Sequence, residues 1–194
     1  MNYISESDIK NIVQKVMQSL SNSDGSSYAS SAPQTSSVSD STVKIVAIGS
    51  DHGGFEMKKM LLAYLAELGY QPMDCGTNSN ESVDYPDFAF SVAKKVSNGS
   101  VWRGIVIDGA GIGSCMVANK VPGVRAAMCY DYATAVNSRE HNDANVLTLG
   151  AGLLGNNQAK LIVKTWLETA FGGGRHARRV EKIMEIEKKY FKGG

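Results

Sequence analysis

RGIVIDGAGIGSCMVANK, residues 103–120, changes pattern twice within a few residues. Gly104-Ile105-Val106-Ile107 is a short, apolar, β-branched run, the composition of a strand buried on both faces of a parallel sheet. The run stops at Asp108, and Gly109-Ala110-Gly111-Ile112-Gly113 follows at once. From Ser114 the pattern turns helical, with Met116, Val117 and Lys120 at helix spacing. A strand, a glycine-rich turn and a helix start leave several backbone N–H groups free at the carboxyl edge of a sheet. Such a cradle favours an anionic oxygen, either a phosphate or a developing oxyanion. Asp108 stands at the strand tip, where a buried carboxylate could act as a base. A tight turn with a solvated aspartate would satisfy the same letters, so the neighbouring segments decide between the two.

Outward from this unit the same alternation repeats. Lys44 to Gly49 reads as a strand ending at Ser50-Asp51-His52-Gly53-Gly54, and a helix follows with Met57, Met60, Leu61, Tyr64, Leu65 and Leu68 on its apolar side. Tyr70 to Cys75 suits a second, short strand. Gly76 to Pro86 is a polar loop containing Asp84-Tyr85-Pro86, and Phe88 to Val96 reads as a helix. Val124 to Tyr130 is a fourth strand, Asp131 to Glu140 a helix, and Asn145 to Gly150 a fifth strand. Helices are expected over Gln158 to Phe171 and Arg178 to Phe191. Strands and helices joined by short turns imply an α/β fold of Rossmann-like kind, an open parallel five-stranded sheet with helices on both faces. Ligands on such sheets bind beyond the strand ends. That singles out Asp51 and His52, Asp108 and its glycines, Tyr130 and Asp131, and Gly150.

The rest of the chain bounds the function. A net charge of +1 and no basic stripe argue against a nucleic-acid partner. Three cysteines without a Cys-x-x-Cys pair argue against a disulfide scaffold or zinc knuckle and suit a reducing, cytoplasmic setting. No apolar run approaches the roughly 20 residues that cross a bilayer. Residues 1–20 carry Ile9, Ile12, Val13, Val16, Met17 and Leu20 on a single helical stripe, with Ser5 or Ser7 able to cap it. Residues 21–42 are dominated by serine and form a flexible linker, so that the folded domain spans 43–194. A short amphipathic helix on such a tether is expected to fold on a partner, and its few lysines speak against a membrane.

Only three histidines occur, His52, His141 and His176, none paired in metal-binding fashion, so no metal site is expected. All three lie in polar, turn-like contexts, where imidazole can serve as acid, base or phosphate partner. Gly172-Gly173-Gly174-Arg175-His176 with Arg178 and Arg179 is a basic cluster suited to a phosphate monoester. Together these features suit proton abstraction beside a sugar-phosphate carbonyl, which needs a base, oxyanion donors, a ring-opening group and a phosphate anchor, and no cofactor. A nucleotide-binding module is the other reading of the turn. Asp131 ends the next strand near a ribose-binding offset, but the turn reads Gly-x-Gly-x-Gly.

The chain from 43 to about 191 resembles the family of B-type ribose-5-phosphate isomerases and galactose-6-phosphate isomerase subunits. The resemblance rests on Gly49-Ser50-Asp51-His52-Gly53-Gly54, Asp84-Tyr85-Pro86, the Gly109–Gly113 turn leading to Ala118-Asn119-Lys120, Gly123 to Ala127, Ser138 to Leu147, and Gly173-Gly174-Arg175-His176 with Arg179. It implies metal-free aldose–ketose isomerisation through an enediol, in a homodimer or dimer of dimers whose sites combine two subunits. On the matching positions it implies that His141 opens the ring, with Asp51 and Tyr85 nearby. It gives His52, Arg175 and Arg179 to the phosphate, His176 to the substrate, Asn142 to the sugar hydroxyls, and the amides of Gly109, Gly111 and Gly113 to the enediolate. Most B-type members place a catalytic cysteine where this chain has Asp108, a threonine at Ala110 and an arginine at Gly152. A branch with a glutamate base has it where Ser114 stands. Asp108 is then the expected base, or else the chain is a weak subunit that needs a cysteine-bearing paralogue. The N-terminal layout resembles encapsulation peptides of bacterial microcompartments, which implies a shell protein or other cargo as partner of residues 5–20 and a place in the compartment lumen.

Overall fold

Strands β1 (Ile45–Ser50), β2 (Gln71–Asp74), β3 (Arg103–Asp108), β4 (Ala126–Met128) and β5 (Val146–Gly150) form one all-parallel sheet in the order β2-β1-β3-β5-β4. This computed structural model describes residues 43–191 and, ahead of them, Gln14 alone. The helix expected over 1–20 and the linker over 21–42 otherwise lie outside the described residues. Between and after the strands run α1 (Phe55–Glu67), α2 (Tyr85–Ser97), α3 (Ile112–Ala118), α4 (Tyr132–Glu140), α5 (Asn156–Glu168) and α6 (Arg175–Tyr190). No described helix is long and apolar enough to cross a membrane.

Every residue of β3 and β5 is buried, which is why their centres carry apolar residues on both faces, with Arg103, Asp108 and Thr148 the buried polar exceptions. Successive side chains point to opposite faces. Val46, Ile48, Ile105, Ile107, Leu147 and Leu149 pack with α1, α4 and α5 on one side. Ala47, Val106 and Val146 meet Ala89, Val92 and Ala93 of α2 and Ala118 of α3 on the other. At the foot of β3 the Arg103 guanidinium donates to the Trp166 and Leu167 carbonyls, both at 3.0 Å, satisfying orphan acceptors at the end of α5.

The structure moves several expected boundaries, each for a local reason. Helix α2 begins at Tyr85 instead of Phe88, because Pro86 is welcome in a first turn, where its missing N–H is not needed. Strand β4 is only three residues long. Arg125 N–H is claimed by Asn145 Oδ1 at 2.7 Å, and Tyr130 N–H turns to Thr134 Oγ1 at 3.3 Å as the next helix begins. Helix α5 ends at Glu168, and α6 starts at Arg175, so Arg175 and His176 lie in its first turn and not in a preceding loop.

Two consequences position the functional groups. The chain leaves β1 toward β2 but leaves β3 in the other direction, so the carboxyl ends of β1 and β3 flank a topological switch point. Helix α4 starts above β4 and runs back along the sheet. Its last residues therefore emerge at the amino-terminal edge, where Gly172 N–H donates to Glu140 O at 2.9 Å and Ala144 N–H to Ser138 O at 2.9 Å.

Lys58 of α1 is 1% exposed, and its ammonium donates to Asp74 Oδ1 and Oδ2 at 2.7 and 2.8 Å and to Thr77 O at 2.7 Å. Asp74 Oδ1 also accepts from Gly76 N–H at 2.9 Å, so one buried cation ties β2 to the loop that leads into α2. Removing the carboxylate strands a buried charge, whereas replacing the lysine by a similar apolar volume does not. Asp74→Ala is expected to lower unfolding free energy by about 2–4 kcal/mol and Lys58→Met by clearly less, as read from urea denaturation. Equal losses would contradict this account of the pair.

Candidate active site

Asp108 is 5% exposed and turns its carboxylate inward, beneath the glycine turn. Oδ1 accepts from Ala110 N–H at 2.9 Å and from Gly111 N–H, and Oδ2 accepts from Ser114 N–H at 2.9 Å. The turn carbonyls are held as firmly. Gly109 O accepts from Gly152 N–H at 3.0 Å, Ala110 O from the Tyr130 hydroxyl at 2.7 Å, and Gly111 O from the Thr148 hydroxyl at 2.9 Å. Gly111 sits at φ +79°, and a Cβ there would lie 2.9 Å from the Leu149 carbonyl carbon, so no other residue fits without strain. The Gly111 amide, expected to face substrate, thus faces Asp108. The amides of Gly109, Ile112 and Gly113 have no partner among the described residues. A carboxylate offers about four lone-pair sites. Three are occupied, and the fourth is on Oδ2.

Around this turn stand three of the other expected residues. Asp51 caps the short helical turn His52–Gly54, accepting from Gly54 N–H at 3.1 Å, and its own N–H donates to Ile107 O at 3.3 Å. His52 Nδ1 accepts from Val83 N–H at 3.2 Å, which leaves the proton on Nε2, free to meet an anion. The Tyr85 ring lies against Gly113 so closely that a Cβ there would come within 2.6 Å of it. Asp51, His52, Tyr85, Asp108 and the turn therefore share the switch point between β1 and β3.

A second group forms at the other edge of the sheet. His141 caps the end of α4, and its ring stacks on that of His176 with centroids 4.1 Å apart and planes 4° from parallel. Asn142 follows His141, and Arg175 and Arg179 lie one turn apart at the start of α6. Guanidiniums at the positive end of a helix dipole repel it, an arrangement that an anion would relieve. No hydrogen bond joins this group to the Asp108 group among the described residues, and the return path of α4 puts the two on opposite edges of one chain.

Other strand-end candidates serve the frame. Asp131 accepts from Thr134 N–H at 2.7 Å and from its hydroxyl at 2.8 Å in a capping box, so its carboxylate is spent on α4 and not offered to a ribose. Cys115 is half-buried, its thiol 3.5 Å from Ala126 O, and burial pushes that thiol up, which disfavours a thiolate base. Sequence patterns also overlook Tyr130 as a brace of the turn. Its position at a strand end is visible, but its partner lies 20 residues away in the chain.

The family model described as Ribose/Galactose Isomerase matches residues 46–183. The chain belongs to the ribose/galactose isomerase family. Among members of that family, it is 45% identical over 147 residues to ribose-5-phosphate isomerase B of Escherichia coli, covering 76% of this chain and 99% of that one. It is 47% identical over 145 residues to the putative sugar phosphate isomerase YwlF of Bacillus subtilis, covering 74% of this chain and 97% of that one. The solved structure of ribose-5-phosphate isomerase B from Clostridium thermocellum superposes with a TM-score of 0.74 at 55% identity, over 75% of this chain and 99% of that one. The hydroxyl that reaches the turn at Ala110 is the phenol of Tyr130, two residues past β4, bonded to the Ala110 carbonyl.

Partial burial, then the neighbouring His141, Arg175 and Arg179, hold His176 below the usual imidazole range, with Glu140 acting the other way. The stack favours the neutral form of His176. Its contribution is therefore complete above the unfolded value of about 6.5 and is lost as pH falls through the lower folded value. Ring-current shifts of the two imidazoles in proton spectra are expected to be present at neutral pH and to collapse on acidification. Shifts that persist well below that range would contradict it.

Proposed function

We propose that this chain, a sugar-phosphate isomerase by family, interconverts ribose 5-phosphate and ribulose 5-phosphate or a close relative through an enediol, without a metal. The observation that carries this reading is the Asp108 turn. A buried carboxylate retains one open lone pair next to three unpartnered amides, those of Gly109, Ile112 and Gly113, with the Tyr85 ring over the last. Asp108 takes the proton from the carbon next to the carbonyl. The carbonyl oxygen, gaining charge, is met by the free amides and takes up the proton of the neighbouring hydroxyl by way of the enediol; Asp108 then returns its proton to the former carbonyl carbon as the new carbonyl forms on the neighbouring one. His141 opens the sugar ring, Asn142 holds hydroxyls, and His52, Arg175, His176 and Arg179 bind phosphate. The two groups lie on opposite edges of the sheet, so a complete site needs two copies of the chain. The assembly is then a homodimer, or a dimer of dimers, in which His141 of one subunit faces Asp108 of the other.

A second reading is favoured by the three amides already bonded to Asp108. The carboxylate would then be an anchor, and the chain a weak subunit that depends on a cysteine-bearing paralogue. The amphipathic residues 5–20, on their serine-rich tether, dock on a microcompartment shell protein or other cargo and hold the enzyme in the lumen.

Shared sites make a specific demand on mixtures. Asp108→Asn and His141→Gln are each expected to lose at least about a hundredfold in kcat. Co-refolded in equal amounts, they should recover about a quarter of wild-type turnover on ribose 5-phosphate, since one site in four regains both groups. Mixtures as inactive as their parents would remove the shared site. A wild-type chain silent on pentose, tetrose and hexose phosphates alone, but active with a paralogue, would establish the second reading. Activity lost in chelator would overturn the metal-free mechanism.

A further inference from the structure

Neither spacing nor family resemblance singles out Asn137, which lies one helical turn before His141 on α4. The hydrogen bonds around it can be read in only one sense. Asn142 Nδ2 lies 3.2 Å from the Asn137 backbone oxygen, an atom that can only accept, so that end of the Asn142 amide is the donor. The same Nδ2 donates to Asn137 Oδ1 at 3.2 Å. With its oxygen engaged there, Asn137 turns its own Nδ2 toward His141 Nδ1, 2.8 Å away. Nδ1 must therefore accept, and the proton of the neutral ring sits on Nε2.

We propose that Asn137 is a positioning residue that locks His141 in its Nε2–H tautomer and so decides which atom of that ring meets the sugar. The inference deepens the isomerase reading and rests on it only for the step that His141 performs. Two neighbours reinforce the lock. The Glu140 carboxylate stands 3.9 Å from Nε2 and favours a proton there. The His176 ring, parallel at 4.1 Å, stops the imidazole from tilting out of plane. Arg175 and Arg179, the other charged groups around this stack, lie on the His176 side. In ring opening the bond from the anomeric carbon to the ring oxygen breaks. The proton that leaves the anomeric hydroxyl as the carbonyl forms is carried by water to the ring oxygen. An Nε2–H aimed at the ring oxygen supports the electron pair arriving there, whereas an Nε2 lone pair would repel it. Asn142 takes part twice in this account, as the group that orients Asn137 and as a neighbour of the sugar.

The test uses full-length protein labelled with nitrogen-15 at mildly alkaline pH, with His141→Gln identifying the His141 signals. Long-range proton–nitrogen spectra of the wild type are expected to show a protonated Nε2 and a bare Nδ1. Asn137→Asp, whose carboxylate can only accept, should reverse that pattern, and Asn137→Leu should give a mixture of tautomers. A wild-type ring protonated on Nδ1, or a pattern unchanged in both variants, would overturn the lock. On ribose 5-phosphate, Asn137→Asp is expected to lower kcat at least about tenfold with KM within about twofold. A reversed tautomer with full kcat would refute its part in the reaction. A wild type without turnover on any sugar phosphate would refute the isomerase reading instead, and the spectra would still decide the tautomer.

Discussion

The Asp108 carboxylate collecting the amides of its own glycine turn is the constraint on which the site is built. Free amides at a strand-to-helix turn repel one another and need an acceptor. In this chain the acceptor is internal, so the turn has its shape before any ligand arrives. The acceptor is also costly to move, because each bond ties a different peptide plane. Ala110, Gly111 and Ser114 point at the carboxylate, while Tyr130 and Thr148 pull the carbonyls between them the other way. The anion cradle that remains is smaller than the letters suggest, and is confined to Gly109, Ile112 and Gly113.

From that anchor the rest of the switch point follows by packing. The absence of a side chain at Gly113 admits the Tyr85 ring, and Tyr85 can sit there only because α2 begins three residues earlier than its apolar pattern. The loop that delivers α2 is itself held by Lys58 through Asp74 and Thr77, and its Val83 N–H orients His52. A buried ammonium in the first helix and an imidazole at the site thus bond to the same loop.

The second group has a different physical character. It is exposed, rich in cationic side chains, and gathered at a helix end where positive charge is not at home. Its order comes from stacked rings and two asparagine amides instead of burial. A rigid, buried half and an open, basic half thus stand on opposite edges of the sheet.

Much of this was legible in the letters. Mostly apolar, β-branched runs within Lys44–Gly49, Gly104–Ile107 and Asn145–Gly150 announce buried parallel strands, because a strand covered on both faces has no polar side to show. Asp51, His52, Asp108 and the glycines lie at strand ends, and strand ends are ordered by chain continuity alone. Only the tertiary structure decided what each group does with its hydrogen bonds. That Asp108 faces the amides of Gly111 and Ser114, that Asp131 is consumed by a cap, and that His141 emerges on the far edge from Asp108 all depend on direction in space. Sequence spacing records the period of a helix or strand, but not which way a carboxylate turns once neighbours from distant parts of the chain compete for it.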